Sequence, residues 1–210
     1  MNSSRIIDIQ LLRNHFSNAR MMPYEAECSS IEDIKLLYED NILLGLRFML
    51  VMHFLEIALR NDMDAAMRAL LGPHWFQKKG ALLEPQTYQF AQARTNLRQQ
   101  RKPLTHDNFI AELPLGFWVG LLTKKYEYRH QYWRRCLHAC FPLRPPGTER
   151  GQLHDKLNSL RRFRNKVAHH ERIIHHDPGG ITESAMEVLG WISPQLHEWA
   201  RQLSSSIGTP

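Results

Sequence analysis

The chain has 210 residues, 43% of them hydrophobic, and a net charge of +6, so we expect one folded domain with a sizeable core, or one domain with a small appendage. It shows no charged and then apolar N-terminal segment with a small-residue cleavage site, which argues against a secretory signal. The three cysteines, Cys28, Cys136 and Cys140, fit no zinc or redox spacing, so we expect free thiols and a cytoplasmic location.

Helical patterns fill the chain, and neither strand alternation nor a hairpin signal stands out, so the predicted fold class is all-α. We expect a partly ordered N-terminal segment over residues 1–29, a single helical bundle over residues 30–203 and a disordered tail over residues 204–210. Ser30, followed three residues later by Asp33, resembles a capping box and predicts the start of the first helix of the bundle.

That first helix is predicted to end at residue 38, and a long helix is predicted over residues 41–71, where Gly72-Pro73 stops it. The long helix contains the most apolar run of the chain, residues 42–59. Charged and titratable side chains interrupt this run and would be costly in a bilayer. We therefore predict a buried core helix and no membrane partner.

Shorter helices are predicted in the second half of the chain, separated by prolines and glycines. The clearest loop is residues 142–147, and residues 177–180 turn the chain. The predicted helices cover about residues 86–100, 107–112 and 117–122, a basic helix over 126–140, a helix over 148–170 and a last helix over 182–203, capped by Thr182.

The long helix carries a polar face. Met49, His53, Glu56 and Arg60 recur at intervals of four, three and four residues, with Asn61 beside them, and such ionisable groups are costly to bury without partners. Glu56 and Arg60 form either an i, i+4 ion pair on a solvated stripe or part of a polar face that packs beside Arg164 and His169 and orients them.

Positive charge is concentrated between Arg94 and Arg172. This stretch has 17 Lys and Arg against 6 Asp and Glu, whereas the rest of the chain has 10 against 15. The imbalance favours a polyanionic partner such as nucleic acid, although a solvated basic surface without a ligand has the same composition. The interleaved aromatic residues are spaced for stacking on unpaired bases or for packing in the core: Tyr126, Tyr128, Tyr132 and Trp133.

Residues 164–173 are the most informative segment, because they place an arginine, an amide and a histidine pair at one helix end: Arg164, Asn165, His169 and His170. A histidine transfers protons near neutral pH, and an arginine holds a phosphoryl group and offsets charge that develops in the transition state. Groups of these types cleave RNA without a metal ion.

Helical geometry constrains how these groups can act together. A core-facing stripe precedes them: Leu153, Leu157, Leu160, Phe163 and Val167. Arg164 lies at the edge of this stripe, and His169 is roughly 140° around the helix from it. Either the helix tightens here or two copies of the motif meet. The alternatives are a purely stabilising role for Arg164 and, for His169, that of a cation near a helix C-terminus.

Three segments in order resemble those of the Abi-like (abortive infection) family, which belongs to the HEPN superfamily of helical domains that act on nucleic acids. The resemblance spans about Tyr38 to His170, on an all-helical background. The segments are residues 55–61 (LEIALRN), 111–118 (AELPLGFW) and 160–171 (LRRFRNKVAHHE).

The resemblance implies a HEPN-like bundle and a metal-independent endoribonuclease without a cofactor, in which Arg164 and His169 are catalytic and Asn165 positions the phosphate or the histidine. It also implies a homodimer, in which the motifs of two copies face each other and form a composite active site. Further candidates are the supporting residues His170, Glu56, Arg60 and Asn61, and the RNA-binding residues Arg161, Arg162, Lys166 and Arg172.

The resemblance further suggests phage defence or a toxin-like role, restrained by RNA or by a protein antitoxin. Some HEPN toxins are controlled by nucleotide transfer to a tyrosine two residues after the motif histidine. This chain has Glu171 there, which puts that route in doubt. Two alternatives remain: a non-catalytic RNA-binding module, and a metal-dependent enzyme that uses the histidines of the motif region, His169, His170, His175 and His176, although they lack the spacing of a known zinc site.

Overall fold

The computed structural model describes residues 7–207, and all regular secondary structure within this range is helical. The all-α prediction is therefore confirmed. The α-helices in chain order are α1 (Ile9–Phe16), α2 (Asn18–Glu25), α3 (Ile31–Leu71), α4 (Glu84–Gln99), α5 (His106–Glu112), α6 (Leu115–Leu121), α7 (Lys124–His130), α8 (Tyr132–Arg135), α9 (Arg150–Ala168), α10 (Pro178–Ile192) and α11 (Pro194–Ser206). Turns of 3₁₀ helix lie at Trp75–Gln77, Leu137–Cys140 and Ile174–His176.

Helix α3 is a single helix of 41 residues. It begins as predicted, with the Ser30 hydroxyl accepting a hydrogen bond from the Asp33 backbone N–H at 3.1 Å. The predicted break before Asn41 is wrong, because Asn41 does not cap a helix. Its side chain instead donates to the Glu171 carbonyl at 3.3 Å and accepts from the Ile173 N–H at 2.7 Å.

The core forms where helices pack along α3, and α9 is one of them. The predicted stripe on α9 is buried from Leu153 to Phe163, and Val167 packs against the core at the end of the helix. Phe163 meets Phe48 edge-on, with ring centroids 4.8 Å apart. Gly45 allows the last turn of α9 to come close to α3, since a Cβ there would lie 3.2 Å from Val167 Cγ1.

By length and composition, α3 is one described helix that could cross a membrane. Its most apolar 18-residue window has a mean hydropathy of 2.0, and 39% of that window is buried inside the protein. A buried core helix passes the same test. The cytoplasmic location therefore stays a prediction. The cysteines are free, and burial raises the pKa of Cys136 to about 11 and that of Cys140 to about 12.

The predicted continuous helix over residues 126–140 is wrong. The chain breaks at Gln131, which has φ 53°, because two buried tyrosines must reach the same loop. Tyr126 accepts from the Leu83 N–H at 2.7 Å, and Tyr132 donates to the Ala81 carbonyl at 2.9 Å. Residues six apart on one α-helix point about 120° away from each other. The break lets both rings face the 81–83 loop.

The predicted last helix, capped at Thr182, is two helices. The Asp177 carboxylate accepts from the Gly180 N–H at 3.0 Å, so α10 begins at Pro178 and the expected turn becomes its first turn. Ser193 caps α11, which starts at Pro194 because proline suits the first position of a helix. Helix α11 continues to Ser206, into the predicted disordered tail; residues 208–210 lie outside the described residues.

The N-terminal segment also contains helices. Residues 1–6 lie outside the described residues, and α1 and α2 pack on the start of α3 around a small core of their own, formed by Met21, Tyr24 and Ile34. This cluster is distinct from the main core. The segment is thus an ordered attachment to the bundle over the part that the structure describes.

Candidate active site

Arg164 on α9 and Glu56 on α3 form an ion pair across two helices, with Arg164 Nε donating to Glu56 Oε1 at 3.1 Å. The side chains are 37% and 24% exposed, respectively. The structure thus places Glu56, from the predicted polar face of α3, beside Arg164. Glu56 orients the guanidinium and leaves part of it open to solvent.

The pair lies in a groove of about 440 Å³ that α3, α9, α4 and the start of α6 enclose. We call it the arginine groove. Arg60 enters it and donates weakly to the Ala111 carbonyl at 3.5 Å. Arg161 is oriented by Asn158, whose Oδ1 accepts from Nε at 3.1 Å and from Nη2 at 2.9 Å. The lining residues are Glu56, Arg60, Gln89, residues 111–116, Arg161, Arg164 and Asn165.

The charges in the arginine groove suit a phosphodiester. Three guanidiniums face two carboxylates, Glu56 and Glu112, which leaves one net positive charge. Glu56 accepts from Arg164, and Glu112 accepts from Asn96 Nδ2 at 2.9 Å. Guanidiniums held in fixed orientations bind phosphate oxygens in pairs and lose little freedom on doing so.

His169 lies at the end of α9 and is exposed. Helix α9 keeps α-helical geometry through Ala168, so the alternative in which the helix tightens is wrong. Arg164 and His169 therefore point in directions roughly 140° apart, and the groove that holds Arg164 is not lined by His169. Within one copy, the two predicted catalytic side chains do not share a site.

The chain reverses just after His169. His170 adopts a left-handed conformation, with φ 57°, its N–H donates to Val167 at 2.9 Å, and the Glu171 N–H donates to Lys166 at 3.0 Å. This is a Schellman ending with a histidine where glycine is usual. A non-glycine residue in this conformation costs about 1–2 kcal/mol. The Lys166–Glu171 ion pair, at 3.1 Å, spans the same turn.

Residues 169–173, which we call the clamped turn, are held by contacts from α3 and the N-terminal segment. The Asn41 side chain forms hydrogen bonds with the backbone on both sides of Arg172. Arg20 of α2 donates to the His170 carbonyl. The Arg172 guanidinium pairs with Glu27 and lies 4.8 Å from the centre of the Tyr24 ring. The predicted supporting residue His170 and the predicted RNA-binding residue Arg172 therefore both belong to the clamped turn.

The other predicted site residues occupy different surfaces. His53 and Asn61 are exposed and line a separate groove between α3 and α11 that also includes Trp199, because Asn61 is about 140° around α3 from Glu56. Arg162 is exposed and does not line the arginine groove, and Lys166 is half-exposed. Of the four aromatic residues, Tyr128 is 89% exposed and available for stacking.

The motif-region histidines do not assemble a metal site. Within residues 7–207, no group of three or more His, Cys, Asp or Glu side chains is placed to hold a metal ion. His175 contacts Glu27 at 3.1 Å, so it contributes to the N-terminal contacts of the clamped turn.

Sequence patterns missed Gln89 on α4, which lines the arginine groove, and Asn158 on α9, which orients Arg161. Gln89 has no local signal, since it joins the groove from another helix, whereas the i, i+3 spacing of Asn158 and Arg161 is a local signal for their hydrogen bond. Glu112 lies within the 111–118 segment, but no role was expected for it.

Comparisons with protein-family models, curated proteins and solved structures found no match to this chain. The resemblance to Abi-like HEPN proteins therefore stays a prediction based on the three segments. These segments are far apart in sequence, yet each contributes to the arginine groove: Glu56 and Arg60 from the first, residues 111–116 from the second, and Arg161, Arg164 and Asn165 from the third.

Proposed function

We propose that this chain is a metal-independent endoribonuclease of the HEPN type with a phage-defence or toxin-like role. The observation that carries this proposal is the convergence of the three segments on one basic groove, in which Glu56 holds Arg164 at 3.1 Å. A preoriented guanidinium in a groove with a net positive charge is suited to stabilising a phosphoryl group as its charge increases.

In the proposed reaction, the ribose 2′-hydroxyl attacks the adjacent phosphorus and the bond to O5′ breaks. The products are a 2′,3′-cyclic phosphate and a free 5′-hydroxyl. The proton that leaves the 2′-oxygen is taken by a general base, and a general acid protonates O5′. His169 supplies one of these groups, Arg164 stabilises the phosphoryl oxygens, and Asn165 on the next position of α9 helps to position them.

The orientation of α9 supports a composite site in a homodimer. Arg164 and His169 diverge within one copy, and His169 is exposed at a helix end, where a second copy can approach. A two-fold dimer makes each contact twice. The proposed site combines Arg164 of one copy with His169 of its partner. RNA or a protein antitoxin is proposed to restrain the enzyme.

The test is incubation of the purified protein with mixed cellular RNA in EDTA, followed by a denaturing gel and end-group analysis. We expect fragments that end in cyclic phosphate, and a loss of activity of at least about a hundred-fold in His169→Ala. The matched control is His176→Ala. It removes another exposed histidine, eight residues after Ala168, the last residue of α9, and should leave cleavage intact.

Intact RNA with every variant would overturn the nuclease. If the same protein then shifts RNA in a binding assay, with an affinity that falls steeply as salt rises, the non-catalytic RNA-binding module is the better account. Cleavage that EDTA abolishes would overturn metal independence.

A further inference from the structure

Helices α7 and α8 carry a second basic surface, outside the arginine groove. Its exposed residues are Tyr128 and five cations: Lys124, Lys125, Arg129, Arg134 and Arg135. Arg134 pairs with Glu127 at 3.2 Å. Within residues 7–207, the other four cations form no ion pair. We call Tyr128 and these four cations the basic face. Its positive charge is available to an anionic ligand.

Helical geometry places the cations of the basic face on either side of the Tyr128 ring along the chain. The two lysines precede Tyr128 by four and three residues, so they lie on the same side of α7 as its side chain. Burial and the charges of Arg129 and Arg135 lower the pKa of His130, so both arginines lie close to the last residue of α7. An aromatic ring thus has cations before and after it.

Tyr128 contributes nothing to the core. It is 89% exposed, which makes it the most exposed large hydrophobic side chain in the described part of the chain. The neighbouring Tyr126 and Tyr132, in contrast, are buried and bind the 81–83 loop. An exposed aromatic ring among cations suits single-stranded RNA, because a base stacks on the ring while the cations contact phosphates. A duplex fits less well, since its bases are already stacked on one another.

Helix α9 connects the basic face with the arginine groove. Arg150, at the start of α9, donates to the Leu122 carbonyl just before α7. Arg161, in the groove, packs beside Gly116 at the start of α6. These arginines are eleven residues apart, so they share one face of α9 and lie roughly 16 Å apart along its axis. At a rise of roughly 3.4 Å per nucleotide, a stacked strand of about five nucleotides spans this distance.

We propose that the basic face binds unpaired RNA beside the arginine groove, and that Tyr128 stacks on one of its bases. This inference rests on the proposed function, because it takes the substrate of the groove to be RNA. The phosphates next to the stacked base contact the two lysines and the two arginines of the basic face. Binding at this surface does not require cleavage.

The experiment measures the affinity of labelled dodecauridylate, in EDTA, for the full chain carrying His169→Ala, which should bind RNA without cutting it. In this parent, Tyr128→Ala should weaken binding about ten-fold, because it removes one stacked base. Tyr128→Phe keeps the ring and should bind within about two-fold of the parent. The matched control is Tyr88→Ala. Tyr88 is 67% exposed on α4 but has Glu84 one turn before it, so its removal should leave the affinity unchanged.

Two further measurements separate stacking from charge. An RNA duplex of twelve base pairs should bind the parent and Tyr128→Ala equally, since its bases are not free to stack on the ring. Lys125→Gln should reduce the slope of log affinity for dodecauridylate against log salt by about 0.7, the share of one phosphate contact in a single strand. Melting curves should be unchanged, because both side chains are exposed.

The failures of the two proposals are distinguishable. Equal binding of dodecauridylate by Tyr128→Ala and the parent, or an equal loss with the duplex, overturns stacking at the basic face even if the wild-type protein cleaves RNA. So does a loss in Tyr128→Phe as large as that in Tyr128→Ala. A loss that depends on the ring and on unpaired RNA supports the basic face even if the wild-type protein leaves RNA intact, in which case only the nuclease fails. No binding of dodecauridylate overturns the basic face.

Discussion

The arginine groove and the clamped turn belong to one helix and its C-terminal end, but different parts of the molecule hold them. Arg164 is set by Glu56, which lies on α3 beside the main core. The clamped turn is held by Asn41 of α3 and also by Arg20, Tyr24 and Glu27, from a segment with a small separate core. The first half of the motif is thus fixed by the bundle alone, whereas the second depends on both the bundle and the N-terminal attachment.

This difference suggests a division of roles. Preoriented cations are most useful where charge develops during the reaction, so they benefit from the rigid core. The turn with His169 must meet a second copy in the proposed dimer, and its strained His170 is retained by contacts on either side. Strain of this kind tends to be found at functional sites.

The largest expected effect distinguishes an active site within one copy from a composite site formed by two copies. Arg164→Ala and His169→Ala should each be inactive alone, but mixing equal amounts should restore about one quarter of the wild-type activity, because half of the random dimers contain one intact composite site. Cleavage is measured after the mixture is unfolded and refolded together. A double variant with both substitutions is the control and should restore nothing. An inactive mixture of folded dimers would contradict the composite site.

The next largest effect tests the part of the motif that the bundle holds, the ion pair of Glu56 and Arg164. Glu56→Gln should lower cleavage by about ten-fold to a hundred-fold, because a neutral amide holds the Arg164 guanidinium less firmly and small displacements are costly in catalysis. Single-turnover cleavage and a melting curve check it. The fold should survive, since the pair is partly exposed. Full activity would show that Glu56 does not orient Arg164.

A smaller effect is expected from the strained turn. His170→Gly should raise the free energy of unfolding by about 1 kcal/mol, because glycine adopts the left-handed conformation without the cost that histidine meets. Urea denaturation measures this change. Gly72, which already has φ 94°, provides the reciprocal control, since Gly72→Ala should destabilise. A less stable His170→Gly variant would mean that contacts of the imidazole outweigh the strain.

The smallest effect concerns the attachment of the N-terminal helices. The hydrogen bond from Arg172 lowers the pKa of Glu27 below its ordinary value of 4.5. A depressed pKa stabilises the folded state at higher pH, so this contribution is complete above 4.5 and is lost as pH falls through the lowered value. After correction for the intrinsic exchange rate, protection from hydrogen exchange in α1 and α2 should therefore fall in acid before protection in α9 does. Glu27→Gln should remove most of this pH dependence; an unchanged profile would contradict the role of the pair.

Local patterns were sufficient for the all-helical class, the cap at Ser30, the loop at 142–147 and the apolar stripe of α9. Each depends on residues within a few positions of one another, where helical periodicity and turn chemistry operate. The placement of Glu56 beside Arg164 agrees with one of the two alternatives stated for the polar face of the long helix, even though 108 positions separate the two residues. That alternative rested on the need of ionisable groups on an otherwise apolar helix for partners.

The remaining features were decided by tertiary contacts that the sequence does not mark. Asn41 resembled a helix start, but its side chain accepts a hydrogen bond from the N–H of Ile173, 132 positions away. The helix over residues 126–140 breaks so that two tyrosines reach one loop. Gln89 joins the groove only because α4 packs against α6. Local sequence was sufficient for the helical class and for which residues have the chemistry. Packing between distant segments decided where helices break and how those residues are grouped, because side-chain partners are chosen by proximity in space.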